Sequence, residues 1–180
     1  MNFQWVDFLN PEDEKQLVYM ANTVAKKEKT VGFASTLNEE QAQSYINGIK
    51  GLLGKSSEGF FVARFEGKII FHVLISFKAD PNNKHLAYAS KAIVAPEFRG
   101  KKIIQKALHY VCEKCEEKGS SILLLDARIG TPAEALWKRM GFIEWGVLPG
   151  YAKVNGEDVG GSYMYQTTDY LRKISIEPGK

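Results

Sequence analysis

The stretch LAYASKAIVAPEFRGKKII, residues 86–104, decides how this chain is read. An apolar and aromatic run from Leu86 to Val94 ends at Ala95-Pro96, and a helical pattern begins at Ile103. Between them Arg99, Lys101 and Lys102 surround Gly100. A helix N-terminus offers unpaired backbone N–H groups and the positive end of the macrodipole, and a glycine lets an anion approach the main chain. The turn therefore suits a pyrophosphate. Within the strand, Ser90-Lys91 interrupts the apolar run and is the expected place for a bulge.

Downstream, Ile104, Ala107, Leu108, Val111, Cys112 and Cys115 share one helix face, and Gly119 stops the helix. Ile122 to Leu125 is too continuously apolar for a half-exposed strand. It reads as buried on both faces and parallel to the Leu86 strand through a right-handed crossover. Asp126 ends it. Thr131-Pro132-Ala133-Glu134 combines a capping hydroxyl, Pro at the first position and an acid, and opens a short helix to Met140 that Gly141 closes. Two strands, Phe142 to Leu148 and Gly161 to Thr168, follow. Upstream, Asn10-Pro11-Glu12-Asp13-Glu14 starts one helix, and Thr36 to Glu39 has the capping-box spacing of a second. Phe60 to Phe65 and Lys68 to Phe77 flank Glu66-Gly67 as a hairpin.

The 180 residues fit a single domain, 1–180, with 44% apolar and 25% charged residues and no segment biased toward disorder. A net charge of +3, spread along the chain, argues against a nucleic-acid surface. Cys112 and Cys115 could bind a metal or cycle redox, but no second CxxC or nearby His adds ligands and Cys112 lies on the apolar stripe. Core packing in a reducing compartment is expected, with no metal site. His72, His85 and His109 lack metal-ligand spacing; His109 reads as a solvated surface residue, while His72 lies on a strand facing the expected cleft. Met1 to Lys15 carries acids and a Pro where a signal peptide needs an apolar run, and no run approaches the ~18 residues of a membrane span. A cytoplasmic protein with no membrane partner is expected.

The order of elements, Arg99-Gly100-Lys101-Lys102-Ile103-Ile104 at a strand-to-helix junction, and Gly130, Ala133, Leu136, Trp137 and Gly141-Phe142 further on, resemble the GNAT N-acetyltransferase superfamily. The first group stands where that family has Q/R-x-x-G-x-G/A, the second where it has N-x-x-A-x-x-L-Y followed by G-F. Ser90-Lys91, Leu125-Asp126, Pro132-Ala133-Glu134, Pro149-Gly150-Tyr151-Ala152 and Tyr163-Met164-Tyr165 resemble, more narrowly, the small-molecule branch that includes tabtoxin-resistance acetyltransferases. The resemblance implies an α/β (α+β) GNAT fold: a mixed, mostly antiparallel sheet of about six to seven strands, splayed at its two central parallel strands, with about four helices. It implies transfer of acetyl from acetyl-CoA to a primary amine of a small molecule by direct attack on the thioester. It also implies a possible homodimer.

Carried onto this chain, the resemblance places the pyrophosphate at Arg99, Gly100, Lys101, Lys102, Ile103 and Ile104, and the pantetheine along the Ile93 and Val94 main chain. Ala133 and Trp137 complete the cofactor set. Lys102 and Ile104 occupy the two positions where the family has Gly and Gly or Ala; Lys102 gives up freedom of φ for a cation, and Ile104 either crowds the phosphates or faces the core. The family carboxylate on the strand before the turn falls at Tyr88, no base at neutral pH. Asp126 stands at the second carboxylate position and is read either as general base, where desolvation can raise its pKa, or as a cap to the following loop; Glu144 is the reserve. The family's thiolate-side Tyr is replaced by Trp137, which reads as packing. Tyr151 is either the phenol that serves substrate or thiolate, or an exposed loop aromatic, and Tyr163 and Tyr165 join Tyr88 as pocket candidates. Two other readings stay open: a degenerate member that binds a metabolite or protein partner without turnover, motivated by Lys102, Ile104, Tyr88 and Trp137, and an acetyltransferase for a protein N-terminus or lysine.

Overall fold

A computed structural model describes residues 1–28 and 35–177. In chain order the first half comprises β1 (Asn2–Val6), α1 (Pro11–Glu28), α2 (Glu39–Lys50), β2 (Glu58–Phe65), β3 (Lys68–Phe77) and β4 (Leu86–Val94). The second half comprises α3 (Ile103–Lys118), β5 (Ile122–Arg128), α4 (Pro132–Arg139), β6 (Ile143–Val154), β7 (Glu157–Thr167) and α5 (Thr168–Ile174). The strands form one sheet in the order β1-β2-β3-β4-β5-β7-β6. Every neighbouring pair is antiparallel except β4 and β5. The mixed, mostly antiparallel sheet expected from the sequence is present, with five α-helices among the described residues.

The parallel pair positions the site. β4 and β5 are in register only at Leu86–Tyr88 and Ile122–Leu124, and then part, although β4 continues to Val94 and β5 to Arg128. A bulge helps to turn β4 away: Leu74 faces Ser90 and His72 faces Ile93, so Lys91 and Ala92 together oppose Val73. Lys91 takes φ 53°, a left-handed conformation that one type of strand bulge uses. The Ser90-Lys91 interruption predicts this bulge.

α3 buries Ile103, Ala107, Leu108, Val111, Cys112 and Cys115 against one side of the sheet. The two cysteines are fully buried free thiols, as their place on the apolar stripe predicts. On α1, Leu17, Met20, Ala21 and Val24 enter the core. The Asn10 side chain accepts the Asp13 N–H at 2.8 Å, and the buried Asp13 carboxylate pairs with Arg64 of β2 at 2.7 Å. No described helix is long and apolar enough to cross a membrane.

Several expectations shift. The α2 cap is Asn38 rather than Thr36: its side chain accepts the Gln41 N–H at 2.8 Å while Gln41 takes the Asn38 N–H at 3.0 Å. β1 was not foreseen, because five residues carry too little periodicity; Phe3 stacks on Phe61 and Trp5 meets it edge-on. β6 and β7 extend to meet at Asn155-Gly156, whose φ values of 55° and 87° make a tight hairpin turn of the kind Asn-Gly favours. β5 is not buried on both faces: Leu123, Leu125 and Ala127 are buried, whereas Ile122, Leu124 and Asp126 are half-buried. His72 does not face the cleft but is fully buried beside Phe60.

Candidate active site

A cleft of about 990 Å³ lies where β4 and β5 part. One end is walled by Phe98 to Gly100 and Lys102 to Gln105, the middle by Ser90 to Val94 and by Thr131, Ala133, Leu136 and Trp137. The other end is walled by Leu125 to Arg128 and Tyr151 to Val154. The site candidates Ile93, Val94, Ala133 and Trp137 thus share one space with the turn.

At the turn, Gly100 has φ 76° and Lys102, the residue before α3, has φ 57°. Lys102 therefore sits in the left-handed region that glycine enters without cost, which explains why a glycine suits this position. The N–H groups of Arg99 and Lys101 are already spent on Pro96 at 3.3 Å and Phe98 at 3.4 Å. The donors left to the cleft are those of the first α3 turn, which have no intrahelical partner. Of the three cations, Lys102 lines the cleft; Arg99 lines it but is ion-paired with Glu28 at the end of α1; Lys101 lies over the Phe98 ring at 4.5 Å, outside the lining. Ile104 does both things considered for it, packing against the core while showing part of its surface to the cleft.

At the opposite end Asp126 accepts hydrogen bonds from two phenols, Tyr88 on one oxygen and Tyr151 on the other. Strand pairing delivers the first, since Tyr88 and Leu124 are register partners on adjacent strands. A glycine delivers the second: Tyr151 lies against Gly161, where any Cβ would be 2.2 Å from the ring. Burial, and then the hydrogen bond to the Asp126 carboxylate, push both phenols well above the ordinary tyrosine range. Both are held as proton carriers. The bare cap reading of Asp126 fails on geometry, because its two oxygens are taken up by side chains from β4 and β6. Tyr163 is the register partner of Asp126 and meets the Tyr151 ring edge-on at 6.2 Å; Tyr165 lies one step further along the same face, beside Leu124.

Glu144 leaves the site. Glu144 accepts from Ser162 at 2.5 Å and pairs with Lys138 at 3.0 Å; these partners depress its pKa, and it lies on the face opposite Asp126. Trp137 is buried and packs edge-on against Phe142 at 5.4 Å, as its packing reading predicts. His109 is partly covered, edge-on to Tyr110 and 3.6 Å from Glu113, rather than solvated. Burial pushes the thiols of Cys112 and Cys115 up to about 12. Two residues at the cleft escaped sequence reading. Glu28 holds Arg99 with its carboxylate and accepts from Arg128 with its carbonyl at 2.6 Å. No local pattern marks either Glu28 or Arg128, since the contact spans 100 residues of chain. For the hairpin that carries Tyr151, Asn155-Gly156 was the available signal.

Comparison with known proteins gives a consistent result. The family model described as Acetyltransferase (GNAT) family matches residues 4–142. A Bacillus subtilis protein provisionally named a ribosomal protein bS18 alanine N-acetyltransferase is 32% identical over 73 residues, 40% of this chain and 48% of that protein. The match thus spans about half the length of this curated relative. Among solved structures, a ribosomal-protein-alanine N-acetyltransferase from Brucella melitensis superposes with a TM-score of 0.70 at 18% identity, covering 93% of this chain and 99% of that one. A provisionally named acetyltransferase from Salmonella typhimurium, solved with its cofactor acetyl-CoA, gives 0.67 at 14% identity, covering 94% and 95%. At these identities the structures speak for the fold.

Proposed function

Because the chain belongs to the acetyltransferase (GNAT) family, we propose that it transfers the acetyl group of acetyl-CoA to a primary amine of a small molecule. One observation carries this reading: a single cleft joins the first-turn N–H groups and Lys102 at one end to the Tyr88–Asp126–Tyr151 cluster at the other. The residues fit the cofactor. Lys102 and the α3 N-terminus suit a pyrophosphate, the parted edge of β4 at Ile93 and Val94 suits the amides of a pantetheine arm, and Ile104, Leu136 and Trp137 form apolar wall. Acetyl-CoA bound there supplies an activated thioester, so that an ammonium acceptor R–NH3+ becomes R–NH–CO–CH3 with release of the thiol and one proton.

The chain's own residues manage that proton. Asp126 receives it from the ammonium, which frees the nitrogen lone pair for C–N bond formation as the C–S bond breaks. Tyr88 and Tyr151 hold the carboxylate in place from both sides. Tyr151, on the cleft wall, gives its one O–H to Asp126 in the resting site; once Asp126 carries the ammonium proton it donates back to the Tyr151 oxygen, which frees the phenol O–H to meet the charge developing on sulfur, the task Trp137 cannot perform. The likeness of the C-terminal half to the tabtoxin-resistance branch supports a small acceptor. A second reading, transfer to a protein N-terminal amine, is favoured by the names of the Bacillus relative and the Brucella structure.

Titration calorimetry with CoA and acetyl-CoA tests the proposal. Binding is expected, and no heat at millimolar ligand sinks it in favour of a degenerate member. In Asp126→Asn, acetyl transfer is expected to fall about 100-fold or more with CoA affinity retained. An unchanged rate removes Asp126 as the base.

A further inference from the structure

A row of rings continues beyond the cleft from Asp126 to the edge of the sheet. Register places Tyr88, Leu124, Asp126, Tyr163 and Tyr165 on one face, since Tyr88 pairs with Leu124, Leu124 with Tyr165, and Asp126 with Tyr163. This is the face on which β5 stays half-exposed. Tyr163 touches the Tyr151 ring on one side, and on the other meets Trp145 of β6 edge-on at 5.8 Å. Trp145 is 59% exposed, so core packing does not account for its position. The row is continuous: a carboxylate with two phenols at its inner end, then Tyr163, then an indole at the open end.

We propose that this row is the acceptor subsite and that it selects a small monoamine with an aromatic or aliphatic body and no carboxylate; the inference rests on the acetyl-transfer reading above. Charge complementarity names the occupant. The ammonium is drawn to Asp126 and to the electron-rich faces of the surrounding rings. The apolar body then covers Tyr163 and Trp145 and removes their exposed apolar surface from water. A carboxylate on the acceptor would lie against the same ring faces and the Asp126 charge, and be repelled. Arg128, two residues along the same face of β5, lines the cleft, donates to the Glu28 carbonyl at 2.6 Å and carries a charge that reaches Tyr151.

Steady-state acetylation of 2-phenylethylamine, methylamine, phenylalanine and an alanine-initiated peptide tests the assignment, with CoA affinity measured in parallel. The expected result is kcat/KM for 2-phenylethylamine at least tenfold above that for phenylalanine or the peptide. In Trp145→Ala and Tyr163→Leu the KM for 2-phenylethylamine should rise about tenfold and that for methylamine far less, a split that a general structural defect would not produce. Phenylalanine or the peptide turned over as well as 2-phenylethylamine overturns the proposal, as does an equal loss for both amines in the variants. CoA binding without turnover of 2-phenylethylamine overturns the acceptor assignment alone. Absence of CoA binding overturns the acetyl-transfer reading with it.

Discussion

Lys102 carries two opposed demands. Its φ of 57° costs an L-residue about 1 kcal/mol, while its side chain lines the cleft with positive charge. Lys102→Gly is therefore expected to raise stability by about 0.5–1 kcal/mol in urea melts and to weaken CoA binding severalfold at low salt. Both effects of one sign would refute the division. His72 shows the other kind of strain. Neither ring nitrogen has a hydrogen-bond partner, and burial, then the nearby Lys91 charge, push its pKa down to about 3. A depressed pKa means stability that is complete above the ordinary value near 6.5 and lost as pH falls toward 3. The loss is at most about 1.4 kcal/mol per pH unit for this one proton. His72→Phe should flatten the acid limb of a stability–pH curve without loss at pH 7, since it removes an unsatisfied polar group from a packed site. An unchanged acid limb would move the proton elsewhere.

At the scale of elements, β7 shapes the Asp126 cluster through an absent side chain. Gly161 leaves room for the Tyr151 ring to reach Asp126 from the irregular stretch of β6 between Leu148 and Ala152. In Gly161→Ala the new Cβ would fall 2.2 Å from that ring, so Tyr151 must move. Turnover is then expected to drop about tenfold, as in Tyr151→Phe, with CoA affinity held, and the double variant should be no slower than either single one. Additive losses would mean that Gly161 matters for packing alone. The parting of β4 from β5 belongs to the same scale: the one-residue excess at Lys91 and Ala92 is a local event, but it opens the wall along which Ile93 and Val94 face the cleft.

Across the whole molecule, the cleft is bounded by residues from α1, β4, α3, β5, α4 and β6. The apolar stripe of α3, the caps at Asn10 and Thr131, the glycine stops and the bulge at Ser90-Lys91 were all legible, because each is an interaction within a few residues. With the basic turn they were enough to point to the family fold. Tertiary structure alone assembled the Tyr88–Asp126–Tyr151 cluster. Asp126 meets phenols 38 and 25 residues away, Glu144 turns to the opposite face, and Glu28 crosses to Arg99 from 71 residues upstream. It also decided that one face of β5 stays open beside Tyr163 and Trp145, and that His72 is sealed in the core. The physical reason is strand register: a slip of one residue moves every side chain of a strand to the other face, and register is set by bulges and by distant partners rather than by the local pattern.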